Sequence, residues 1–208
     1  MSKEDIQLPN FENESVPASL EGYFLISEME LIDPNFYKTV VFMVEHNEQG
    51  AFGLVVNRKA DAVLGEVVEG ITGPLYDSPI YVGGPVQQNL LFILHSGLPA
   101  EATGEYSKSS IPGVIFEPVS ERMITYLNEH WEDIPESQKP ETRFYVGYSG
   151  WGPGQLEEEM KIGSWLIHKA TPDIVFHKEP EMGWKDALSK KGTFYKIIAE
   201  TGCKPSIN

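Results

Sequence analysis

Thr39-Val40-Val41-Phe42-Met43-Val44-Glu45-His46-Asn47-Glu48-Gln49-Gly50-Ala51-Phe52-Gly53-Leu54-Val55-Val56-Asn57 is the stretch on which the fold turns. Thr39 to Val44 and Ala51 to Asn57 are short runs rich in β-branched and aromatic residues, types that suit a pleated, packed surface. Between them His46 to Gly50 is polar and ends in glycine, which reaches positive φ without a Cβ clash. The spacing predicts a hairpin. Upstream, Tyr23 to Ser27 predicts another strand, separated from the hairpin by the turn-forming Asp33-Pro34-Asn35.

Downstream, Val63, Leu64, Val67 and Val68 fall at helical spacing, so a short helix is expected over 63–68. Pro79 to Val82 and Leu90 to Leu94 are near-continuously apolar, the pattern of strands covered on both faces, and flank Gly83-Gly84-Pro85. A polar loop is expected around Thr103 to Ser110. Ser120 stands as the N-cap of a helix carrying Met123, Ile124, Leu127 and Trp131 on one face. Arg143 to Tyr148 predicts a strand, Ser149 to Gly154 a glycine-rich turn, and Gln155 to Met160 a helix with Glu157, Glu158 and Glu159 at the positive end of its dipole. Ser164 to His168 and Ile174 to His177 predict two further strands, and Thr193 to Glu200 a last helix packing Phe194, Ile197 and Ile198. Strands that cluster early as hairpins and are later interrupted by helices give an α+β class rather than a doubly wound parallel sheet.

Sixteen basic against 31 acidic residues leave a net charge of −15 over 208 residues. That field repels polyanions, so direct nucleic-acid binding is not expected. Lys185, Lys190, Lys191, Lys196 and Lys204 form a locally basic tail, read as the solvated face of helices. The single cysteine, Cys203, forms no intrachain disulfide and no paired-cysteine metal site, which suits a reducing, cytoplasmic setting. Residues 1–19 are polar, carry Glu4, Asp5, Glu12 and Glu14, and lack a signal-peptide pattern; they are expected to form a flexible acidic arm ahead of one domain spanning 20–208. Asn13-Glu14-Ser15 matches a glycosylation acceptor only formally. No apolar run approaches the ~20 residues of a membrane-spanning helix.

Three polar segments lie at predicted strand ends, where loops carry side chains over a rigid scaffold. In the first, Glu45 and His46 are adjacent and point to opposite faces of a strand, so they form no carboxylate–imidazole dyad; His46 caps the hairpin or enters a pocket. In the second, His95 follows the strand after Gly83-Gly84, where exposed backbone N–H groups beside an imidazole would hold an anion; Gly-Gly-Pro also serves simply as a strand exit. The third, Gly147-Tyr148-Ser149-Gly150-Trp151-Gly152-Pro153-Gly154-Gln155, comes closest to a nucleophile elbow, but Trp151 stands where the elbow needs glycine. The same glycines fail the dinucleotide fingerprint, and His46, His95, His130, His168 and His177 keep no zinc-site spacing. The candidate ligand-binding set is therefore Glu45, His46, Asn47, Gly83, Gly84, His95, Tyr148, Ser149 and Trp151, with no catalytic residue, metal or cofactor assigned.

Gly22-Tyr23-Phe24-Leu25-Ile26-Ser27, Asp33-Pro34-Asn35-Phe36, Glu45-His46-Asn47, Gly50 through Asn57, Gly83-Gly84-Pro85-Val86, Phe92 through His95, and Gly150 through Glu157 with Trp165-Leu166 together carry a pattern that resembles the AlgH/YqgE family, over about Leu20 to Leu188. The resemblance implies a bent, mixed sheet closing into a pseudo-barrel with helices packed outside. It implies no established reaction, although some members bear the label of transcriptional regulator. The expectation is a noncatalytic regulatory or binding module, acting through a protein or small-ligand partner and on transcription only indirectly. The alternative is a small-molecule hydrolase with a pocket of His46, His95, Tyr148 and Ser149.

Overall fold

The hairpin is present: β2 (Val40–Asn47) and β3 (Gly50–Val55) pair antiparallel, with Asn47 opposite Gly50. A computed structural model describes residues 16–204 of the chain. Residues 1–15, which include most of the expected arm and the Asn13-Glu14-Ser15 triplet, lie outside the described residues. The other strands are β1 (Tyr23–Ser27), β4 (Lys59–Val63), β5 (Pro79–Val82), β6 (Val86–His95), β7 (Lys108–Ile111), β8 (Val114–Pro118), β9 (Thr142–Trp151) and β10 (Trp165–Lys169). They run in the order β10-β1-β2-β3-β9-β6-β8-β7, with β5 joined to β9 and β4 to β5. The β5–β9 pair is parallel and the remaining pairs are antiparallel, so the sheet is mixed and the class is α+β.

Both faces of the central strands are buried, which explains their continuous apolar runs. Phe24, Ile26, Phe42, Val44, Leu54, Phe92, Leu94 and Tyr145 point into one cluster. Their neighbours Leu25, Val41, Met43 and Val55 point into a second, and Ile80, Ile93 and Phe144 into a third. Each such side chain taken fully from water contributes roughly 1.5–3 kcal/mol. Helix α3 (Gln155–Lys161) covers the second cluster through Leu156, while α1 (Leu64–Val67) and α2 (Glu121–His130) cover the third through Leu64, Met123 and Leu127. Helices α4 (Pro172–Val175), α5 (Gly183–Ser189) and α6 (Thr193–Thr201) share the first, inner cluster, with Trp184 donating its indole N–H to the Ser27 carbonyl at 3.0 Å.

The sheet bends until its two ends approach, but the hydrogen-bonded ladder does not close. Ser110 Oγ on β7 donates to the Val44 carbonyl at 3.0 Å, and Lys108 pairs with Glu21 at 3.0 Å. β1 pairs with β2 only as far as Phe42, so side chains from β7 complete the contact that a longer strand would have made.

Several local expectations change. Ile174 to His177 is not a strand: Pro172 occupies the first helical turn, where its missing N–H is no loss, and Ile174 and Val175 are buried from a helix instead. The glycine-rich turn begins only at Gly152, because Ser149, Gly150 and Trp151 are held in β9 by pairing with Gly53, Phe52 and Ala51. The polar loop ends early, at Lys108, where β7 starts. β4, β8 and α5 were not anticipated. Ser120 does cap α2, accepting the Met123 N–H at 3.2 Å. Ser120→Ala is expected to lower stability by about 1 kcal/mol, read as a shift in the urea midpoint at unchanged slope.

Candidate functional site

The hairpin tip and the end of β9 build an open cleft of about 460 Å³, lined by Glu45, Asn47, Gln49, Gly50, Phe52, Val86, Tyr148 and Trp151 among others. Asn47 shapes the tip: its Oδ1 accepts the Gln49 N–H at 2.8 Å and its Nδ2 donates to Glu45 at 2.6 Å. Gly50 has φ +130°, and a Cβ there would lie 2.2 Å from the Trp151 carbonyl oxygen, so only glycine lets the tip rest on β9.

The opposite wall is aromatic. The Phe52 ring lies 4.8 Å from that of Tyr148 and 5.7 Å from that of Phe92, centroid to centroid. Tyr148 is half-buried, and its hydroxyl has no hydrogen-bond partner among the described residues. Trp151 is held rigidly: its indole N–H donates to Glu159 Oε2 at 2.9 Å, the same oxygen takes the Trp165 indole N–H at 2.8 Å, and Phe36 stacks on the ring.

Gly83, Gly84 and Ser149 support the cleft from behind rather than lining it. A Cβ on Gly84 would fall 2.2 Å from the Tyr148 carbonyl carbon, and one on Gly83 would fall 2.4 Å from the Gly147 oxygen. Ser149 is fully buried, with Oγ donating to the Gly83 carbonyl at 3.1 Å. That hydroxyl faces no solvent and no base.

The two candidate histidines lie elsewhere. His46 is on the opposite face of β2 from Glu45, with Nδ1 accepting the Leu20 N–H at 3.0 Å. The proton therefore sits on Nε2, which donates to Glu157 Oε1 at 3.0 Å, beside a separate, mainly apolar hollow of about 360 Å³ containing Leu20, Leu156 and Met160. Backbone hydrogen bonding first, and His46 with it, hold the Glu157 carboxyl below its usual range.

His95 closes β6 at the end away from Val86, opposite Thr142 of β9 and so roughly 20 Å along the sheet from Tyr148, which pairs with Val86. It is completely buried against Glu117, its Nε2 donating to Glu117 Oε1 at 3.1 Å while Nδ1 accepts the Leu98 N–H at 2.9 Å. The second Glu117 oxygen takes the Gly104 N–H at 2.7 Å, so the pair ties down the loop between β6 and β7. Burial pushes the His95 imidazole below its ordinary pKa.

The hydrolase pocket of His46, His95, Tyr148 and Ser149 is accordingly not assembled, and His95 stands beside no Gly83-Gly84 anion cradle. Of the nine candidates the structure brings Glu45, Asn47, Tyr148 and Trp151 to one cleft. Phe52, Gln49 and Val86 were missed, although the Asn47–Gly50 register alone places Phe52 opposite Glu45. Glu117, Glu157 and Glu159 had no signal in linear spacing. Among the described residues no three His, Cys, Asp or Glu side chains group to hold a metal, and no helix is long and apolar enough to cross a membrane. The cleft lining includes no lysine or arginine, so its chemistry favours a flat ligand that is neutral or cationic.

Residues 24–196 match the model of the AlgH-like family. A UPF0301 protein of Chlorobium phaeobacteroides is 35% identical over 188 residues, 90% of this chain and 95% of the relative. One from Myxococcus xanthus is 37% identical over 173 residues, covering 81% of this chain and 88% of its own. The solution structure of the AlgH protein from Pseudomonas aeruginosa superimposes with a TM-score of 0.69 at 32% identity, covering 93% of this chain and 99% of that one. A crystal structure from Corynebacterium diphtheriae gives 0.67 at 20% identity over 89% and 93%, a likeness of fold alone.

Proposed function

Since the chain belongs to the AlgH-like family, we propose that the cleft is the working site of that scaffold here, and that the protein is a noncatalytic binding module taking a small flat ligand between Asn47 and Tyr148. The observation that carries this reading is the division of labour among the polar residues. Groups able to attack or transfer protons, Ser149, His46 and His95, are each consumed by internal hydrogen bonds, whereas Tyr148, whose hydroxyl has no partner among the described residues, lines an open space. Any regulatory effect, including one on transcription, then runs through ligand occupancy or a partner, because a net charge of −15 disfavours DNA.

The test is an NMR screen with flat aromatic fragments in neutral, cationic and anionic sets. Neutral and cationic members are expected to shift Asn47, Tyr148 and Trp151, and Tyr148→Ala is expected to weaken them about tenfold. Anionic fragments winning, hits mapping away from the cleft, or turnover of ester substrates abolished by Ser149→Ala in a folded protein would each overturn the reading.

A further inference from the structure

The sheet ends differently on its two sides. At one end β7 is tied back onto β2 through Ser110 and the Val44 carbonyl. At the other, β10 pairs only with β1, in a register unbroken from Tyr23 opposite Lys169 to Ser27 opposite Trp165. Bonds from the Glu28 N–H to the Ser164 carbonyl and from the Ala170 N–H to the Gly22 carbonyl bracket this ladder and fix its phase. The backbone of Leu166 and His168 therefore faces β1, and the N–H and C=O groups of Trp165, Ile167 and Lys169 face outward. Among the described residues these outward groups have no main-chain partner, and only the Lys169 carbonyl is met, by His168 Nδ1 at 2.7 Å. The result is a regular open edge about 14 Å long, with no proline and no bulge between Trp165 and Lys169.

The chemistry of this edge is self-complementary. Two copies related by a two-fold axis through Ile167 set Ile167 against Ile167 and Trp165 against Lys169, which satisfies the outward N–H and C=O groups of both strands. Lys169 is exposed and its ammonium has no partner among the described residues. At the other end of the strand, Glu159 accepts the Trp165 indole N–H at 2.8 Å and the Trp151 indole N–H at 2.9 Å, with Gln155 on its second oxygen, and forms no ion pair among the described residues. Antiparallel pairing carries Lys169 of each copy to the Trp165 and Glu159 of the other, so one free cation and one unpaired anion are matched twice. An unrelated strand would have to reproduce this register and charge order, whereas a second copy brings them by symmetry.

We infer that β10 is a homodimer edge, pairing antiparallel with β10 of a second copy and joining the two sheets into one. The inference does not depend on the cleft being a ligand site. Each copy carries a net charge of −15, so the encounter is opposed at long range and needs salt to screen it.

Sedimentation equilibrium of the full chain at physiological salt, up to about 1 mM, together with residue-resolved hydrogen exchange, tests it. A dimer is expected, with exchange of the Ile167 and Lys169 amides slowing as concentration rises. Ile167→Pro deletes an outward N–H and no bond to β1, and Lys169→Glu turns a carboxylate onto Glu159 of the second copy; each is expected to weaken dimerisation about tenfold. Lys169→Arg and Tyr148→Ala are expected to leave it unchanged. A chain that stays monomeric, a dimer without protection at Ile167 and Lys169, or a dimer of full strength in folded Lys169→Glu protein overturns the inference.

Discussion

Glu117→Ala is expected to destabilise the protein by about 3–5 kcal/mol, a large share of the margin of an ordinary domain. Both members of the His95–Glu117 pair are 0% exposed. Removing the carboxylate leaves the His95 Nε2–H without an acceptor in a place water does not reach, and frees the partly buried Gly104 N–H as well. Glu117→Gln keeps the shape and one acceptor, so it should lose less; urea denaturation of the three proteins gives the order.

The same pair sets an acid limit. Burial lowers the His95 pKa in the folded state, and Nδ1 is already occupied as an acceptor for Leu98. The unfolded chain therefore binds the proton more readily, so the contribution is full above the unfolded value of about 6.5 and is lost as pH falls through the lower folded value. Stability measured from pH 7.5 downward should begin to decline near pH ~6.5. His95→Gln should flatten that first decline; an unchanged slope would detach His95 from it.

Gly84→Ala is the second large effect, expected at about 3 kcal/mol or more. The backbone sits at φ +157°, and the new Cβ would be 2.2 Å from the Tyr148 carbon and 2.4 Å from the Ser149 nitrogen, both main-chain atoms of a central strand that cannot swing aside. The clash moves Tyr148, so the cleft is deformed along with the fold. Gly152→Ala is the control, since a Cβ there meets nothing within 4 Å, and it should stay within about 0.5 kcal/mol of the parent. Equal midpoints for the two variants would show that β5 and β9 do not need this close approach.

The hairpin, the two-sided burial of Ile80-Tyr81 and of Phe92 to Leu94, and the Ser120 cap were legible because each is decided by neighbours within a few residues. β-branched alternation, a glycine turn and a hydroxyl three residues before its N–H partner are local facts. Ile174 to His177 misled because a short apolar run has no period, and Pro172 outweighed β propensity. Ser149 to Trp151 misled because their glycines signal a turn, while the partner that keeps them extended, β3, lies about a hundred residues away in the chain.

By itself the sequence determined the α+β class, the net charge of −15, and the opposed directions of Glu45 and His46. Only the tertiary structure decided which polar residues meet. Register between β3 and β9 brought Asn47 to Tyr148 and Trp151, while the length of β6 carried His95 away to Glu117. The physical reason is that side-chain direction repeats locally along a strand, but convergence depends on which distant strands share an edge, and that is set by packing of the whole core rather than by any short run of residues.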